Sequence, residues 1–96
     1  MRFKIAAALS TGEEVPVGWT VENDGGGIQK IVKHLPNNES VEIVRYSDSK
    51  WFVIENVPTR DYSAQMVGEE ADFSKAIAIA EADIAKLQKR KIWHEV

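Results

Sequence analysis

The chain has 96 residues, of which 44% are hydrophobic and 28% charged, and its formal net charge is −3. That length holds one domain with one core, expected over residues 1–96, and the composition is that of a globular chain and not a disordered one. The lack of cysteine excludes disulfides, thiolate nucleophiles and thiolate metal sites, and the mild acidity argues against nonspecific nucleic-acid binding, which needs a basic surface.

The N-terminal stretch Met1–Ser10 has an apolar run after Lys4 that is shorter than the ~7–15 residues of a signal-peptide core. No stretch approaches the ~18 apolar residues of a membrane span. A cytoplasmic protein is expected. Residues 2–9 alternate, with Phe3, Ile5, Ala7 and Leu9 on one face, which predicts a half-buried strand. Residues 15–22 alternate again, Val15, Val17, Trp19 and Val21 sharing a face, and Pro16 suits an edge strand or a strand start. Asn23-Asp24-Gly25-Gly26-Gly27 reads as a turn. In 28–35 the spacing of Ile28, Ile31, Val32 and Leu35 fits a two-turn helix, although isoleucine and valine suit a strand as well; a short helix is the reading adopted.

Residues 41–46 and 51–56 read as a hairpin around Ser47-Asp48-Ser49-Lys50. A symmetric loop pairs Tyr46 with Trp51, Val44 with Val53 and Ile43 with Ile54. It sets Tyr46, Trp51, Val44 and Val53 on one face, and Arg45, Phe52, Ile43 and Ile54 on the other. The compact set of Phe52, Ile43 and Ile54 is expected to face the helix. The connection 57–71 leads to the clearest element, a helix whose stripe is Phe73, Ile77, Ala80, Ile84 and Leu87, with Ile79 off the stripe. Asp72 or Ser74 can cap it, and Lys86, Lys89, Arg90 and Lys91 suit its C-terminal dipole. A short last strand is expected over 91–96. The fold class is therefore α+β: an antiparallel sheet of four to five strands packed by one long helix in the C-terminal half, with a short second helix.

Several patterns bear on chemistry. Gly25, Gly26 and Gly27 before a helix, with Lys30 following, have the ingredients of an anion cradle, but neither phosphate-loop nor dinucleotide spacing is present, and a turn explains the glycines equally well. His34 and His94 show no metal spacing and no nucleophile-elbow serine beside them. Glu69 and Glu70 read as helix-dipole and solubility residues. No catalytic residue, metal ligand or cofactor is expected. The aromatics Trp19, Tyr46, Trp51 and Trp93 exceed what one helix face covers. They fill the core or a homodimer interface, or they contact a different protein, since Trp and Tyr are typical interface anchors. On the second reading Trp51 and Tyr46, with Trp19 as a neighbour, are the partner-binding residues on the less buried face of the sheet.

Over residues 41–90 the order of elements is a hairpin with Trp51 opening its second strand, a loop, then Phe73-Ser74-Lys75-Ala76-Ile77 opening an alanine-rich helix. This resembles small accessory proteins of bacteriophages and other mobile elements, including some anti-CRISPR proteins. It is a pattern of elements and not a motif, so it carries no functional residue across. The resemblance implies stoichiometric binding to a host factor through an exposed sheet face or acidic edge, without catalysis. The function expected is a non-catalytic protein-binding module, a phage-type inhibitor of a bacterial defence or regulatory protein. Its partner would be that host factor or a second copy of the chain, with no membrane involved. The alternative is a small anion- or nucleotide-binding domain using the glycine turn.

Overall fold

The computed structural model of the chain describes residues 5–8, 13–22, 28–47 and 49–94, with side chains placed for 13–22, 28–47 and 49–89. Seven strands, β1 (Ile5–Ala8), β2 (Glu14–Pro16), β3 (Thr20–Val21), β4 (Ile28–His34), β5 (Ser40–Tyr46), β6 (Trp51–Asn56) and β7 (Ala64–Glu70), precede the 22-residue helix α1 (Phe73–His94). Strands β3 to β7 form one antiparallel sheet in chain order, and β1 pairs with β2 as a separate ribbon. The helix packs on β5, β6 and β7. The fold is the α+β arrangement the sequence predicts, a five-stranded sheet against one long helix, and an antiparallel sheet of this kind packs one face and leaves the other open.

The helix side of the sheet carries Ile31, Val41, Ile43, Trp51 and Val53, each no more than 2% exposed. Against them the helix sets Phe73, Ala76, Ala80, Ile84 and Leu87. The small Ala76 and Ala80 let the helix backbone come close, and the Phe73 ring meets the Trp51 ring edge-on at 4.8 Å between centroids. Val15 and Trp19 join this cluster from the N-terminal part of the chain. Asp72 caps the helix: its Oδ1 accepts from the Ser74 backbone N–H at 3.0 Å and from Ser74 Oγ at 2.9 Å. These bonds hold the Asp72 carboxyl below its ordinary pKa.

Four expectations are corrected. Residues 28–34 are strand β4, paired along its length with β5, and the second helix reduces to a single 3-10 turn at Pro36–Asn38. Ladder bonds to β5 outweigh the helical spacing, and the β-branched Ile28, Ile31 and Val32 suit the strand. The 15–22 strand is broken by a turn at Val17-Gly18, where Gly18 has φ +99°, a conformation only glycine takes cheaply. Val17 is therefore 55% exposed while Val15 and Trp19 are buried. The helix runs on to His94 instead of giving way to a strand at 91, because no glycine or proline interrupts it after Leu87. Finally, Ile79 is half-buried against Gly68, and Asp83 is buried beside it, so the buried stripe of α1 is rotated toward Ala76 and Asp83.

Candidate partner-binding surface

The hairpin decides which aromatic faces where. Its register pairs Arg45 with Trp51, Val44 with Phe52 and Ile43 with Val53, one residue away from the symmetric pairing. The loop is held by Ser49: its N–H donates to the Tyr46 carbonyl at 3.0 Å, its carbonyl accepts from Arg45 Nε at 3.0 Å, and its Oγ accepts from the Tyr46 N–H at 3.1 Å. Ser47, at φ +51°, makes the left-handed step this closure needs. A slip of one residue exchanges the faces against which every side chain pairs. Trp51 thus joins Ile43 and Val53 on the helix side at 2% exposure, and the Arg45 guanidinium covers its ring at 5.6 Å. Phe52 joins Val44, Tyr46 and Ile54 on the face turned away from the helix. Phe52 stands half-exposed there, so β6 shows the opposite face from the one expected, while β5 keeps Ile43 on the helix side and Tyr46 on the open side as expected.

Of the three residues expected to meet a partner, only Tyr46 is at the surface. It is 48% exposed, and its ring tilts against Phe52 at 6.2 Å. Trp51 and Trp19 are core residues; Trp19 is 4% exposed and its indole Nε1 donates to Glu81 Oε1 at 3.2 Å. The open face instead presents Tyr46, Phe52, Ile54 and Met66 as neighbours across β5, β6 and β7, with Ile28 beside Tyr46 on β4. Val32 and Val44 lie buried at the centre of the same face. A polar row borders them: Lys30 Nζ lies 3.7 Å from Glu42 Oε1, and Asn56 Nδ2 donates to Glu42 Oε2 at 2.6 Å and to Ser40 Oγ at 3.2 Å. Phe52 and Ile54 were missed because the hairpin register, and not residue type, exposes them, and Met66 because residues 57–71, read as a connection, contain strand β7.

Of the alternative anion site only Lys30 falls among the described residues. Gly25, Gly26 and Gly27 lie outside the described residues. Lys30 sits in the middle of β4 beside Glu42, so no helix N-terminus follows the glycines to offer its N–H groups. His34 is exposed, with Nε2 at 3.2 Å from Glu22 Oε2. His94 has no described side chain.

A second cluster, unforeseen in the sequence, lies under the helix. Glu55 and Asp83 are 3% and 7% exposed, and their carboxyl groups share a hydrogen bond. Arg60 Nη1 donates to Glu55 Oε2, and Arg60 Nη2 donates to the Ser63 carbonyl at 3.1 Å. Burial pushes Asp83 up to about 6, with the bond to Glu55 and its charge adding to the rise. For Glu55 burial works in the same upward direction, but the bonds from Asp83 and Arg60 outweigh it and the group ends below its ordinary value. The pair therefore holds one proton on Asp83 into the weakly acidic range. Asp83 Oδ2 is closed to solvent and has no bonding partner. A shallow depression of about 360 Å³ beside the pair is lined by Val67, Ile79, Ala82, Asp83 and Lys86 and is open to solvent. Two carboxyls, Glu55 tied to Arg60 and Asp83 at the edge of the depression, therefore form a proton-sharing pair beneath the helix.

Among the described residues no group of three or more His, Asp or Glu side chains is placed to hold a metal, and no helix is long and apolar enough to cross a membrane. Comparison with known proteins gives no match: no family model, no curated protein and no solved structure is similar to the chain.

Proposed function

We propose that the protein is a non-catalytic binding module that docks another protein on the face of its sheet turned away from the helix. One observation carries this reading. The open face has a contiguous apolar strip of Tyr46, Phe52, Ile54 and Met66, of which Tyr46 is 48% and Met66 61% exposed, next to a ladder of bonded polar groups. An apolar patch rimmed by polar residues is characteristic of protein docking sites, and an aromatic with a polar tip tolerates water when free and a dry contact when bound. The partner-contact role expected for Trp51 and Trp19 passes to Phe52 and Met66, with Tyr46 retained.

A cytoplasmic inhibitor of a bacterial defence or regulatory protein, of the kind the element order resembles, is the form of this reading that the strip and the acidic net charge suit. The test is a comparative capture from a bacterial lysate with three baits: the wild-type chain, Phe52→Ser and Tyr62→Ser. Tyr62 is 78% exposed but lies in the β6–β7 connection, away from the strip. A partner held by wild type and Tyr62→Ser and lost by a folded Phe52→Ser variant supports the reading. Equal capture by all three baits removes the strip as the docking site.

A further inference from the structure

Strand β7 pairs with β6 on one side, and no described strand pairs with its outer edge. Natural sheets protect such edges by making them short or by placing lysine or proline in them. The opposite edge, β3, follows that rule with two residues. Strand β7 does not: it runs for seven residues, Ala64-Gln65-Met66-Val67-Gly68-Glu69-Glu70, with neither lysine nor proline, and its first four side chains are all exposed. Its charge is concentrated at one end, in Glu69 and Glu70.

The faces along β7 follow from its pairing with β6. Glu70 pairs with Trp51, Gly68 with Val53 and Gln65 with Glu55, which puts these three on the helix side. Glu69 pairs with Phe52 and Met66 with Ile54, which puts them on the open side. The register shift between Val53 and Ile54 leaves Val67 as an extra residue, and it lines the depression beside Ile79 on the helix side. A second β7 laid antiparallel on this edge keeps every face matched when Gln65 of one copy opposes Glu70 of the other, Met66 opposes Glu69 and Val67 opposes Gly68. In that register no glutamate faces a glutamate, whereas a parallel pairing stacks Glu69 on Glu69 and Glu70 on Glu70.

A cation stands where the acidic end of the second copy arrives. Asp83 bonds to Glu55, which pairs with Gln65, and Lys86 lies next to both carboxyls and lines the same depression. Lys86 is exposed and belongs to the helix side at the Gln65 end of the strand. Glu70 of the second copy, opposite Gln65 and on the same side, comes to this lysine, and the twofold repeats the pair at the other end.

We infer that the outer edge of β7 is a self-complementary docking edge whose occupant is β7 of a second copy of this chain. The pairing joins two five-stranded sheets into one of ten strands, with both helices on one side and both strips of Tyr46, Phe52, Ile54 and Met66 on the other.

Sedimentation equilibrium of the full chain across a wide concentration range tests this, with circular dichroism to confirm that each variant is folded. The wild type is expected to show a monomer–dimer equilibrium that weakens as salt is raised. Glu70→Lys is expected to weaken dimerisation about tenfold, as loss of a close charge pair does across an interface. The double variant Glu70→Lys with Lys86→Glu restores it. Gln65→Lys, at an exposed position facing Glu70, tightens it and serves if Glu70→Lys does not fold. A chain that stays monomeric at every concentration overturns the proposal. So does a dimer that is indifferent to both Glu70→Lys and Gln65→Lys, or one that is lost in Phe52→Ser instead, which places the contact on the sheet face.

Discussion

On the helix side of the sheet Trp51 is 2% exposed, sealed by Phe73 at 4.8 Å and by Arg45; one residue along the same strand, Phe52 reaches the open side and touches Tyr46. Both faces are rich in apolar residues, so hydrophobicity does not distinguish them. What does is the partner each face meets. The helix side meets small alanines at two turns of α1, which allow the rings to be enclosed. On the open side Val32 and Val44 are buried at the centre, but Tyr46 and Met66 stay exposed. The comparison teaches that an aromatic residue in a small domain is placed by register and by the layer above it, and that its chemical type alone does not mark it as a contact residue.

The comparison breaks most readily at Trp51. Trp51→Ala is expected to cost about 3–5 kcal/mol, the usual loss for emptying an enclosed aromatic site, and Phe52→Ala about 1–2 kcal/mol, since only part of that ring is removed from water. Urea melts of the two variants side by side measure the difference, and equal losses would erase the distinction between the faces. A smaller effect is expected at Gly68, where an added Cβ meets Ile79 Cγ2 at 3.0 Å and Cδ1 at 3.1 Å. Gly68→Ala should cost about 1–2 kcal/mol by overpacking. Adding Ile79→Val should recover part of that loss, because the contact atoms belong to a side chain that can be shortened. A simple sum of the two single effects would show that α1 does not lie over β7 at this point.

The buried carboxyl pair sharpens the comparison through pH. Asp83 has its folded-state pKa raised from 3.8 to about 6. For an acid this means that the folded state holds the proton more tightly than the unfolded chain. The contribution is fully present below the unfolded value and is lost as pH rises through the folded one. Asp83→Asn is therefore expected to flatten the fall in stability between about pH 4 and pH 6 and to stabilise the protein at neutral pH by on the order of 1 kcal/mol, after discounting for screening. Glu55, whose pKa is lowered, works in the opposite sense and loses its contribution as pH falls through its depressed value. Thermal melts of wild type and Asp83→Asn from pH 4 to pH 8 give the answer; parallel curves would mean that Asp83 ionises freely. The smallest effect is expected on the open side, where Tyr46→Ser should change stability by no more than about 0.5 kcal/mol, as surface substitutions do.

The sheet-and-helix architecture was legible because period two and the helical stripe persist over whole segments. Of the stripe, Phe73, Ala80, Ile84 and Leu87 are buried as read, and Ile77 is only half-buried. A single residue in the 47–50 loop sets the hairpin register, and Ser49 closes that loop through three bonds that residue type does not announce. The spacing of 28–35 is helical while its β-branched residues suit a strand, and pairing with β5 decides it. The Glu55–Asp83 pair joins residues 28 positions apart by number and has no local pattern. The candidate surface was readable only at Tyr46, since Phe52 reaches the surface through the hairpin register and Met66 through strand β7, which reads in the sequence as a connection.

Residue-resolved oxidative labelling of the free protein tests the central claim, that the open face and not the tryptophan-bearing face is available for docking. Short exposure to hydroxyl radicals followed by peptide mass spectrometry reports each side chain separately. Met66, Tyr46 and Phe52 are expected to be modified readily, and Trp51, Trp19 and Phe73 to be protected until the protein unfolds. Trp51 labelled as fast as Tyr46, with Phe52 protected, would mean that the hairpin faces the other way and would contradict the account.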